Sequence, residues 1–160
     1  MKTTVCFVCL SVKPGGGNKV VFELCDIINQ SQQMEYEIIS IEGAPVNKEI
    51  YSFSKFNNLQ SRCLGFKSNH PVLLFCNLIF TFIYLVLFSH RYKAVIINSS
   101  LLAPIFGFVP SQNIYSYIQG DDYSLFDNRF SATYQYIVNI YKWMTKNIAY
   151  RFYRDRYIFN

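Results

Sequence analysis

Between Ile50 and Gly120 the chain carries no aspartate or glutamate at all. Lys55, Arg62, Lys67, Arg91 and Lys93 lie in that stretch, so the middle of the chain is basic and apolar together. This combination suits an anionic membrane surface better than nucleic acid, and no DNA- or RNA-binding motif accompanies it. The flanks are mixed: six acids face four bases in residues 1–50, and four acids face six bases from Asp121 onward.

Other scarcities narrow the chemistry. Only two histidines occur, His70 and His90, too few and too scattered in sequence to argue for a Ser/His/Asp arrangement. Five cysteines make an odd set, and Met1-Lys2 runs straight into a strand-like segment, not into an apolar signal helix with a cleavage site. The cysteines therefore read as small core residues of a reducing, cytoplasmic compartment. Cys6 and Cys9 form a C-x-x-C pattern, but positions i and i+3 of a strand point to opposite faces and cannot chelate one metal. The dinucleotide fingerprint G-x-G-x-x-G is absent, and so is the phosphate loop G-x-x-x-x-G-K-[ST]. Alanine and glycine are sparse beside abundant Phe, Tyr, Ile, Asn and Lys, a bias that an AT-rich gene produces without functional cause.

What is present is enough for a folded domain. The 160 residues are 51% hydrophobic and 18% aromatic, which excludes disorder and fits one domain over 1–160 with a sizeable core. The strand-like run Thr3–Leu10 breaks at Pro14-Gly15-Gly16-Gly17-Asn18, and a helix-like run follows from Lys19 to Ile28. Val20, Val21, Leu24, Ile27 and Ile28 share one face of that helix, and Asn18 is placed to cap it. Glu35 to Glu42 reads as a second strand. Strand, glycine turn, helix and strand make a βαβ unit, which implies a parallel sheet.

Residues 43–69 are loop-like, with room for a short helix. Val72 to Phe88 then runs for seventeen residues without a charge. Pro71 suits the first helical position, and His90 and Arg91 suit the end. The run is short for a spanning helix. It fits a connecting helix of the sheet, a helix lying on a membrane, or a single span, against which stands that a span would pull apart the strands on either side of it. Lys93–Asn98 and Asn113–Gln119 are further strands, separated by a short apolar helix or turn around Pro104 over Leu101–Phe108. A long helix is expected over residues 130–153, with Lys142, Lys146, Arg151, Arg154 and Arg156 among Trp143, Tyr150, Phe152, Tyr153 and Tyr157. Such a helix can rest at a lipid interface or bury a single stripe. Tyr157–Phe159 begins one more strand. The order predicts an α/β fold: an open, doubly wound, mostly parallel, Rossmann-like sheet flanked by helices.

In such sheets ligands collect outside the carboxyl ends of the strands. Three segments meet that condition: the glycine loop at 15–18, Asn98-Ser99-Ser100, and Gln119-Gly120-Asp121-Asp122. Glycine lets a ligand approach backbone N–H groups closely, and a helix start adds free N–H groups and positive dipole. The same loop is also readable as a plain strand-to-helix turn. The acidic pair Asp121-Asp122 could accept hydrogen bonds from hydroxyls or supply a base, or form a solvated turn. One such pair is too few ligands to assign a metal site.

With these segments placed, the chain resembles the N-terminal half of GT-B glycosyltransferases, in particular the bacterial enzymes that build surface polysaccharide and lipopolysaccharide. Pro14-Gly15-Gly16-Gly17-Asn18-Lys19-Val20-Val21-Phe22-Glu23-Leu24 is similar to their first glycine loop and helix, and Tyr36-Glu37-Ile38-Ile39-Ser40 to their second strand. Tyr92–Ser99 is similar to a later strand, and Ile114–Tyr123 to the strand end of one subgroup. The resemblance implies an acceptor-binding half facing a second, nucleotide-sugar-binding half that lies outside this sequence. Gly15, Gly16, Gly17, Asn18 and Lys19 would then face phosphate or substrate; Ser99, Ser100, Gln119, Asp121 and Asp122 would face the acceptor. It implies a sugar or lipid-linked acceptor, a nucleotide-sugar donor for the complete enzyme, no cofactor in this half, and no nucleic acid. The chain alone is then expected to be inactive: a truncated product, an expressed domain, or a subunit with a C-terminal partner chain. The histidine that many relatives carry near a strand end has no counterpart here, so no catalytic residue is assigned. A membrane-associated binding module, peripheral on the inner face of the cell membrane, is the alternative. A nucleotide- or NAD-binding domain is disfavoured by the glycine spacing.

Overall fold

The structure, a computed structural model, describes residues 3–12, 16–42, 61–67, 70–99, 102–118, 139, 140, 143, 147 and 157–159. Six strands pair: β1 (Thr3–Cys9), β2 (Met34–Ser40), β3 (Ser61–Arg62), β4 (Ala94–Asn98), β5 (Ile114–Ile118) and β6 (Tyr157–Phe159). Their spatial order is β3-β2-β1-β4-β5-β6, and every pairing is parallel. The helices are α1 (Gly16–Gln30), α2 (Pro71–Phe88) and α3 (Ala103–Phe106). The expected α/β, Rossmann-like, parallel sheet is the observed one.

β1 is the central strand, and its sequence explains why. Cys6 and Val8 project into one core, with Ile39, Leu85, Val95, Ile97 and Phe106. Val5, Phe7 and Cys9 project into the other, with Val21, Phe22, Cys25 and Ile38. A strand covered on both faces needs apolar residues at consecutive positions, and VCFVC supplies them. The first core is covered by α2 and α3, the second by α1. Cys6 and Cys9 thus lie on opposite faces of the sheet, as the strand period requires.

Two boundaries differ from the sequence expectation. α1 starts at Gly16, three residues ahead of Lys19. Glycine weakens a helix interior, but the first turn has no intrahelical N–H bonds to lose, so Gly16 and Gly17 are tolerated there. Asn18 therefore sits inside the helix and is not its cap. β3 was not expected: Ser61 and Arg62 pair beside Ile38 and Ile39 with only two residues and no alternation to mark them. α2 begins at Pro71 and ends at Phe88, as Pro71 and the chargeless run dictate. Of the long helix expected over residues 130–153, only Asn139, Ile140 and Trp143 are described as α-helical. The short helix expected within 43–69 falls mostly on residues outside the description.

Candidate functional site

The chain leaves β1 and crosses one face of the sheet through α1 to reach β2. It returns across the other face through α2 to β4, which lies on the far side of β1. The carboxyl ends of β1 and β4 therefore flank the point where the winding reverses, which opens a crevice in sheets of this order.

Two side-chain amides and a backbone carbonyl meet there. Asn98 ends β4, and its Nδ2 donates to Oδ1 of Asn18 at 3.1 Å. Asn18 in turn donates its Nδ2 to the Ser11 carbonyl just past β1, at 2.9 Å. The first turn of α1 is thereby tied to the ends of both central strands. Gly16 and Gly17 precede Asn18 in that turn, and helix-start N–H groups of this kind attract anions.

Beneath the pair lies Cys9, whose Sγ is 4.0 Å from Asn98 Nδ2. Burial pushes its thiol up to about 12, against a smaller downward pull from the Asn98 hydrogen bond. At neutral pH the floor of the crevice is an uncharged thiol, not a nucleophile. Ser99 follows Asn98 and is buried; its carbonyl accepts from the Leu102 and Ala103 N–H groups, both at 3.2 Å, and so anchors the start of α3. Beside β1, the Glu42 N–H donates to the Leu10 carbonyl at 2.8 Å, which places Glu42 at the same edge of the sheet.

The structure thus brings Asn18 and the Ser99 strand end to one place, beside the glycines of the α1 start. Lys19 is directed along the helix, 3.9 Å from Glu23, with both side chains largely exposed. Gly15, Ser100, Gln119, Asp121 and Asp122 lie outside the described residues. Sequence reasoning passed over Ser11, which contributes a backbone carbonyl and so leaves no side-chain signal. It also put weight on Ser99 and Ser100, whereas the residue that reaches across the crevice is Asn98. The usable signal was a polar residue ending an otherwise apolar buried strand.

Among the described residues, no group of three or more His, Cys, Asp or Glu is arranged to hold a metal ion. Among the described residues the arrangement offers amide dipoles, helix-start N–H groups and an uncharged thiol beneath them. No protein-family model matches this chain, and no curated protein matches it either.

Proposed function

We propose that this chain is the acceptor-side half of a sugar-transferring enzyme of the GT-B type. The observation that carries the reading is the Asn18–Asn98 bridge at the winding reversal, beside the glycine-containing first turn of α1. Gly16 and Gly17 stand in the first turn of α1, whose N–H groups have no intrahelical acceptor and can stabilise charge on a diphosphate. Asn18 and Asn98 hold that turn against the strands, so the donors need little reorganisation when a ligand arrives. The nucleotide-sugar would belong to a second Rossmann-like half facing the crevice, on the same polypeptide or on a partner chain.

The test is an NMR titration of the isotopically labelled chain with a short-prenyl diphosphate sugar, with NAD as comparison. Amide shifts confined to Gly16, Gly17, Asn18, Asn98 and Ser99, produced by the diphosphate sugar alone, are the expected result. Shifts produced at those residues by NAD would replace the reading with a dinucleotide site. No shift at any of them with either probe would sink it.

A further inference from the structure

Helix α2 is apolar on its outer face as well as on the face it packs against the sheet. Its sheet-facing side carries Asn77 and Thr81, both 0% exposed, followed one turn apart by Leu85 and Ser89. Its outer side carries Val72 (62% exposed), Phe75 (61%), Ile79, Ile83, Val86 and Leu87. Only 22% of the Val72–Arg91 stretch is buried, although it is apolar and long enough to pass for a membrane span. A helix that is apolar all round is normally enclosed on every side. A row of large exposed side chains along its whole length marks a surface that meets something apolar.

We propose that the outer face of α2 lies in the plane of an anionic lipid bilayer, immersed to headgroup and upper-acyl depth. Three observations select this occupant. First, cations bracket the helix: exposed Lys67 precedes it, exposed Arg91 and Lys93 follow it, and no acid occurs between Ile50 and Gly120. An in-plane helix puts both clusters at the same depth against anionic headgroups, whereas a span would divide them between leaflets.

Second, the inner face is tied to the sheet along its length. Asn77 donates to the Ile41 carbonyl at 2.9 Å and exchanges two hydrogen bonds with the Phe66 backbone. Farther along, the Tyr84 hydroxyl bonds those of Tyr92, at 2.7 Å, and the Arg62 guanidinium. Crossing a bilayer would require breaking these contacts or carrying the sheet in with them.

Third, charge argues against a second copy of the chain. A two-fold pairing through this face would set cations against cations whether the two helices ran parallel or antiparallel. The inference does not rest on the sugar-transfer reading.

Vesicle flotation with the full chain tests it, using phosphatidylcholine vesicles with and without phosphatidylglycerol. Flotation with the anionic vesicles is expected, falling by at least about tenfold for each of Phe75→Ser and Ile83→Ser. Both residues point outward, and an unchanged urea midpoint would show that the fold survives. Arg91→Gln and Lys93→Gln should each lower binding about fivefold on anionic vesicles only. Depth is read from Ile83→Trp, corrected for Trp143, the sole native tryptophan. Quenching by shallow brominated lipid is expected; quenching at the bilayer centre would overturn the in-plane placement. Absence of flotation, or flotation indifferent to Phe75→Ser and Ile83→Ser, would overturn the proposal. A dimer abolished by these substitutions, without vesicle binding, would instead assign the face to a second copy.

Discussion

Asn98 and Asn18, 80 residues apart in sequence, join their side-chain amides at 3.1 Å across the mouth of the two central strands. This single bond connects the end of β4 to the first turn of α1, and Asn18 passes the connection on to the Ser11 carbonyl. Replacing either asparagine by alanine should cost about 1 kcal/mol, since each leaves a partly buried partner without its bond. A double-mutant cycle followed by urea denaturation should give a coupling of about 0.5–1.5 kcal/mol. Strictly additive effects would mean that the bridge does not hold the turn.

Asn77 is a buried polar tie between α2 and the chain beside the sheet. Asn77→Leu keeps the volume but strips the Ile41 carbonyl and the Phe66 backbone of their partner, at a cost of about 1–3 kcal/mol. Gly65 belongs to the same joint, because a Cβ there would run into the Asn77 carboxamide and the Phe80 ring. Gly65→Ala should therefore destabilise by about 1–3 kcal/mol. Thermal unfolding of both variants checks the pair, and an unchanged midpoint in either would contradict the close packing.

Gln32 follows α1 with φ of 53°, a left-handed conformation held by a residue that has a Cβ. Glycine adopts it without that strain, so Gln32→Gly should raise stability by about 1 kcal/mol. The variant's melting temperature decides it; a fall would show that the side chain makes a compensating contact.

Stability should fall in alkali, where buried thiols and a buried phenol must give up their protons. Burial pushes the thiols of Cys9 and Cys25 from 9.0 up to about 12, and raises Cys6 as well. Tyr92 is raised by burial and by donating its hydroxyl to Glu37 at 2.5 Å. In each case the folded chain keeps a proton that the unfolded chain gives up. Their contribution is whole below about pH 9 and is lost as pH climbs toward 12. Urea midpoints should fall steadily across that window. Alkylation at neutral pH should reach the part-exposed Cys63 and Cys76 before the three buried thiols.

Much of the fold was legible because its signals were local. Pro71 and a chargeless run mark α2; the apolar runs of β1, β2, β4 and β5 mark strands to within a residue or two. The start of α1 was misplaced because glycine propensity argues against a helix that the tertiary bonds of Asn18 hold in place. Ser61 and Arg62 gave no sign of β3, since two residues cannot show a period. At the site, the ends of β1 and β4 could be named from the winding order alone. That Asn18 and Asn98 touch could not, because no local rule relates residues that far apart. Which face of α2 stays exposed was hidden for a different reason: where nearly every residue is apolar, periodicity does not say which side faces in.

The position of β1 also sets a schedule for synthesis. β1 pairs first with β2, made soon after it, but its other edge waits for β4; Cys9 meets Asn98 across 89 residues. A nascent chain that has just released α2 exposes its most apolar segment while that edge is still open. Such intermediates are prone to aggregate, and the risk grows with the time the edge stays unpaired. A chain held with α2 emerged from the ribosome and β4 still inside it should thus give less soluble product than one held after β4 has emerged and the edge has been sealed.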